Sequence, residues 1–120
     1  MAPGGRDVRI SVAAEGDLQG IYRRRLDQRG PDGLDGAEAL LSKLIEGMDG
    51  LRDFAERGPI PVELAALGMR VYRQITLETY RVIYRVDADV VTILIVADAR
   101  RDFRRLLEER LLRVPQRGLP

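Results

Sequence analysis

The residues best equipped for chemistry in this chain are arginines. Arg81 and Arg85 stand four apart in Thr-Tyr-Arg-Val-Ile-Tyr-Arg-Val, residues 79–86, and Arg100-Arg101 follow the next apolar run. On an extended chain a spacing of four puts two side chains on one face. A guanidinium is a planar fork of N–H donors that keeps its charge at any working pH, so such a group suits phosphate or carboxylate. Arg73 shares that face if the neighbouring strands are in register, and Arg70 lies close by. Arg100 and Arg101 fall where the last strand meets the last helix, within reach of the sheet arginines. Arg70, Arg73, Arg81, Arg85, Arg100 and Arg101 are therefore candidate target-binding residues for RNA, DNA or an acidic peptide. The alternative is a solvated sheet face whose arginine stems cover apolar surface.

Other chemistries are closed by composition. The 120 residues include no Cys and no His, which excludes zinc sites, thiol catalysis, iron–sulfur clusters and Ser-His-Asp triads. No metal and no other cofactor is expected. Acid–base work is left to Asp, Glu, Tyr, Lys and Arg, and Lys43 is the only lysine. Asp87 and Asp89 read as turn residues rather than metal ligands. Ser11 and Ser42, the only serines, have no partner base.

The formal net charge of +1 hides a division along the chain. Residues 1–69 carry a net −3, residues 70–86 a net +3, residues 87–97 a net −2 and residues 98–120 a net +3. The positive blocks are those that hold the arginine group.

The elements that must position these arginines follow from periodicity. Val8, Ile10 and Val12 alternate with Arg9 and Ser11, which predicts a short strand. Over about 14–29 the period changes, and Leu18, Ile21, Tyr22 and Leu26 form the stripe of an amphipathic helix. Gly30-Pro31-Asp32-Gly33 ends it. A second helix is predicted over 34–56, with Ala37, Leu40, Leu41, Leu44, Ile45, Met48, Leu51 and Ala55 as its stripe. Gly47 and Gly50 interrupt it, and close packing is the expected reason. The short connection makes the two helices an antiparallel hairpin.

Gly58-Pro59-Ile60-Pro61 breaks the chain, and 62–68 reads as a loop or a short helical turn. Three strands follow. The first, 70–77, places Val71, Ile75 and Leu77 on one face. The second, 79–86, places Tyr80, Val82, Tyr84 and Val86 on one side and Arg81, Ile83 and Arg85 on the other. The third, 90–97, is almost wholly apolar, as an internal strand should be. Asp87-Ala88-Asp89 makes the last two a hairpin. A final helix is predicted over 100–113, with Phe103, Leu106, Leu107, Leu111 and Val114 as its stripe. The order β-α-α-β-β-β-α predicts one α+β domain, with its core over about 8–113. It is an antiparallel β-sheet meander covered by an N-terminal helical hairpin, followed by a C-terminal helix.

No apolar targeting segment is read at the start, and the run 90–97 is far shorter than the ~20 residues of a membrane span. A cytoplasmic protein without a membrane partner is expected.

Thr-Tyr-Arg-Val-Ile-Tyr-Arg-Val, then Asp-Ala-Asp, an apolar strand and Ala99-Arg100-Arg101-Asp102 together resemble the RelE/ParE superfamily of bacterial type II toxins. Pro-Val-Glu-Leu, 61–64, and the helical hairpin before it sit where that family, which includes plasmid stabilisation proteins, has its own. The resemblance implies a toxin that inhibits growth and is held by a cognate antitoxin in a hetero-oligomer. It implies one of two mechanisms. RelE-like members cleave mRNA on the ribosome, the first expectation here; ParE-like members inhibit DNA gyrase and are not nucleases. A non-catalytic antitoxin-binding module is a third reading.

In the nuclease reading the resemblance makes Arg81 and Arg101 the catalytic residues, positioning the scissile phosphate and neutralising its charge. The match is partial. RelE-type enzymes carry two lysines where this chain has Tyr72 and Gln74, and their C-terminal tyrosine falls near Leu107. The expected antitoxin contacts are Arg81, Arg85, Leu107 and Leu111, because an acidic segment would meet the arginines and one helix cannot bury all its leucines.

Overall fold

In this computed structural model the described residues are 5–28 and 33–112. Ser11 decides where the first strand stops. Its hydroxyl accepts the Ala14 N–H at 3.1 Å and caps a helix, so β1 is only Asp7–Ile10 and α1 runs Val12–Asp27. Val12, expected on the strand, is the first helical residue and 85% exposed.

The second helix, α2, spans Gly33–Asp49 and gives way to a single 3-10 turn, Gly50–Arg52, rather than continuing to 56. The connecting residues 30–32 lie outside the described residues. Gly47 is a close-packing glycine, since a Cβ there would sit 2.6 Å from Leu77 Cδ2. Gly50 is not: a Cβ there would meet nothing within 4 Å. It is the first residue of the 3-10 turn that follows α2.

A one-turn helix, α3 (Val62–Ala65), leads to β2 (Tyr72–Leu77), β3 (Tyr80–Val86) and β4 (Val90–Asp98). The meander is antiparallel as expected. The sheet gains a further strand, because β1 pairs in parallel with β4, giving the order β1-β4-β3-β2. Val71, expected inside the second strand, precedes it and is half-exposed.

Both faces of the sheet are covered. On one, Leu18, Ile21, Leu44, Met48 and Leu51 of the helical hairpin and its 3-10 turn pack on Ile75, Val82, Tyr84, Val91 and Ile93. On the other, Leu64, Phe103, Leu106 and Leu107 pack on Ile83, Ile95 and Ala97. β4 serves both cores through a bulge. Ile83 pairs with Ile95 while Tyr84 pairs with Ile93, so Leu94 is the extra residue. The bulge turns Ile93 toward the hairpin and Ile95 away from it, although strict alternation would put them together.

The C-terminal helix begins later than expected. Residues 98–101 form a turn in which Asp98 Oδ1 accepts the Arg100 N–H at 2.9 Å. Asp102 then caps α4, Phe103–Leu107, by accepting the Arg105 N–H, and a π-type turn follows over Glu108–Leu112. Val114 lies outside the described residues.

Candidate functional site

The alternation of β3 puts Arg81 and Arg85 on the face opposite the helical hairpin, as their spacing requires. Arg73 does not join them. It pairs directly with Tyr84, and residues opposite one another across an antiparallel ladder share a face, so Arg73 points to the hairpin side. There its Nη1 donates to the carbonyl oxygens of Gly58 (2.8 Å) and Glu56 (3.2 Å), clamping that loop against the sheet.

Arg81 is deeply engaged, with a side chain 16% exposed. Its guanidinium donates to both carboxylate oxygens of Glu63, at 3.2 and 3.3 Å, and its Nε donates to Gln74 Oε1 at 2.8 Å. Nη2 also donates to that Gln74 oxygen. The guanidinium carbon lies 4.1 Å from the Phe103 ring centroid, a cation–π contact. Hydrogen bonds from Arg81 hold the Glu63 carboxyl below its ordinary range, against the opposing effect of burial.

Arg85 is half-exposed and pairs with Asp87 at 3.3 Å. Arg100 extends into solvent and is bound to Asp98 at 2.9 Å, and its hydrogen bonds lower the Asp98 carboxyl to about 2. Arg101 is exposed and lines a cleft of about 300 Å³ with Tyr80, Asp98, Arg24, Gly16 and Gly20. Arg70 is exposed just before β2.

Leu107 is 1% exposed and belongs to the second core, while Leu111 is half-buried against it. Leu107 reaches only the floor of a groove of about 320 Å³ between α3 and the C-terminal turns.

The family model described as the ParE toxin of type II toxin–antitoxin systems, parDE, matches residues 8–103. The chain belongs to the ParE toxin family. None of the curated proteins matches it. Among solved structures it is similar to a chain of the chromosomal ParDE toxin–antitoxin system of P. aeruginosa. The two are 22% identical with a TM-score of 0.64, over 78% of this chain and 96% of that one. It is also similar to a chain of the RelBE2 toxin–antitoxin complex of Mycobacterium tuberculosis, at 21% identity and a TM-score of 0.56, over 78% of this chain and 98% of that one. These likenesses give the α+β fold of RelE/ParE toxins. Among the described residues no helix is long and apolar enough to cross a membrane.

In this ParE-family toxin the six nominated arginines do not form one cluster. Arg81 and Arg85 share a sheet face, Arg100 and Arg101 sit at the far end of β4, Arg73 faces the hairpin, and Arg70 stands apart. Reading the sequence missed Glu63, Asp17, Arg110 and Arg24. Asp17 sits between Ala14, Leu18 and Ile21, a carboxylate inside an apolar stripe, which is a visible signal of a buried partner. That partner is Arg110, bound through both carboxylate oxygens at 3.1 and 2.9 Å. Gly16, Gly20 and Arg24 recur every four residues on one helix face, also visible but not singled out.

Proposed function

We propose that this toxin arrests growth by binding DNA gyrase rather than by cutting mRNA on the ribosome. The observation that carries this reading is the state of Arg81. A phosphate at that guanidinium would have to displace the Glu63 carboxylate, break two contacts to Gln74 and leave Glu63 unpaired at the edge of the second core. The positions where RelE-type enzymes place lysines support it too. Gln74 is spent on Arg81, and Tyr72 packs against the second core. Arg81 on this reading is a structural residue, and Arg101, Arg100 and Arg70 remain for contacts with the target. The matched family points the same way, through the non-nuclease mechanism its resemblance implies.

The antitoxin is the second partner, in a toxin–antitoxin hetero-oligomer. Of the residues expected to meet it, Arg85 and Leu111 keep accessible surface, and Leu67, 60% exposed, rims the groove above Leu107. Arg81 and Leu107 support the fold beneath. The site of action is the cytoplasm, where gyrase works.

Induction of the toxin without antitoxin tests the reading. DNA-damage signalling with mRNA left intact is expected. Codon-linked mRNA ends in cells whose DNA is undamaged would overturn it.

A further inference from the structure

We propose that the cleft between α1 and the adjoining ends of β3 and β4 binds a carboxylate side chain presented by a protein partner, held between Arg24 and Arg101 beside the Tyr80 hydroxyl.

The cleft is shaped by two glycines. Gly16, Gly20 and Arg24 lie on one face of α1, so the helix wall is recessed where a side chain would otherwise fill it. A Cβ on Gly16 would meet nothing within 4 Å. A Cβ on Gly20 would lie 3.3 Å from Arg24 Nη1, which places the Arg24 guanidinium folded back along that recess. From the opposite side Tyr80 and Asp98 pair across β3 and β4, and Arg101 follows three residues later.

Four other charged groups at or beside this cleft are already matched. Asp17 is bound by the Val96 N–H and by Arg110, and Asp98 is bound by Arg100. The guanidinium groups of Arg24 and Arg101 make no hydrogen bond or ion pair among the described residues, and the Tyr80 hydroxyl has no hydrogen-bond partner there; Arg24 feels the Asp98 carboxylate only through space, as one of the lesser charges that lower it. What remains is two guanidinium forks and a phenolic donor facing about 300 Å³ of space. A single carboxylate satisfies that set.

A nucleic-acid backbone fits less well. Its charge recurs at every nucleotide, and its next phosphates would meet Asp17, Asp98 and the acidic half of the chain, residues 1–69 at net −3. One carboxylate on a protein segment avoids them. The inference does not rest on gyrase as the target: a negative supercoiling assay would leave it standing.

The test is nitrogen-15 NMR on the full chain, titrated with an end-blocked Gly-Glu-Gly peptide, which carries one carboxylate, and, separately, with a short oligothymidylate of the same charge. The peptide should shift the Arg24 and Arg101 Nε–Hε signals and the Tyr80 amide. Arg24→Gln and Arg101→Gln should each weaken it about tenfold, the loss of a charge-assisted hydrogen-bonding pair. Gly16→Leu, whose Cβ would meet nothing within 4 Å and whose side chain would occupy the recess, should abolish the shifts in a chain whose spectrum is otherwise unchanged. Arg9→Gln, at an exposed arginine outside the cleft, should leave affinity alone. Shifts spread evenly over the surface arginines, an equal loss in Arg9→Gln, or tighter cleft binding by the oligothymidylate would overturn the proposal.

Discussion

Asp17→Ala should destabilise this fold by about 3 kcal/mol, far more than a typical helix-surface change. β1 stops opposite Ile93, so the edge of β4 continues past it without a strand to bond. Asp17 and Arg110 cap that edge. Asp17 accepts the Val96 N–H at 2.9 Å, and Arg110 donates to the Leu94 carbonyl at 2.6 Å and to both Asp17 oxygens. The two side chains are 19% and 21% exposed. Removing the carboxylate orphans a buried N–H, at a cost of about 1–3 kcal/mol, and leaves a half-buried guanidinium without its counter-charge. Breaking a fully buried pair costs roughly 3–5 kcal/mol, and one-fifth exposure places this pair at the low end. Asp17→Asn keeps an acceptor for Val96 and should lose only about 1 kcal/mol. Arg110→Ala leaves Asp17 bonded to the sheet and should lose about 2 kcal/mol. Urea unfolding followed by far-ultraviolet circular dichroism measures all three, and the Ala variant should melt about 10 °C lower. A loss below about 1 kcal/mol for Asp17→Ala, or strict additivity of Asp17→Ala with Arg110→Ala, would refute the cap.

Two further outcomes follow from the same geometry. Gly58→Ala should cost at least about 2 kcal/mol, because the new Cβ would lie 2.1 Å from the Gln74 carbonyl oxygen, backbone that cannot swing away; thermal melting reads it. The Glu63–Arg81 pair should make stability acid-sensitive. The Glu63 carboxyl is held below 4.5 in the folded chain, so its contribution is complete above about 4.5 and disappears as pH falls through the folded-state value. Urea midpoints from about pH 3 to pH 6 should therefore fall less steeply in Glu63→Gln than in the parent; parallel curves would count against the pairing.

What sequence periodicity could and could not convey is clear in particular residues. The alternation Tyr80-Arg81-Val82-Ile83-Tyr84-Arg85-Val86 placed each side chain on the face it occupies, because a strand covered on both sides still obeys its pleat. The alternation Val8-Ile10-Val12 overran, because a serine hydroxyl that caps a helix outweighs the pattern of three apolar residues. β4 concealed its bulge for a simple reason: a run apolar at nearly every position looks the same in either phase. The parallel pairing of β1 with β4 is a long-range choice that no local pattern encodes. At the site, the arginines were legible as residue types, but their partners were not. Nothing in the spacing of Glu63 and Arg81 says that a turn of helix carries that carboxylate onto the sheet. Whether Arg73 joins the sheet arginines depends on register with β3, which follows from where the Glu78 turn closes the hairpin, with φ 56 at that residue, and that register puts Arg73 opposite Tyr84.

Supercoiling of relaxed plasmid by purified DNA gyrase, with and without the purified toxin, tests the central claim most directly. Gyrase inhibition is expected, with messages on toxin-treated ribosomes left uncut. Normal supercoiling beside site-specific cleavage of ribosome-bound mRNA would contradict it, and would require Arg81 to leave Glu63 and reach a phosphate.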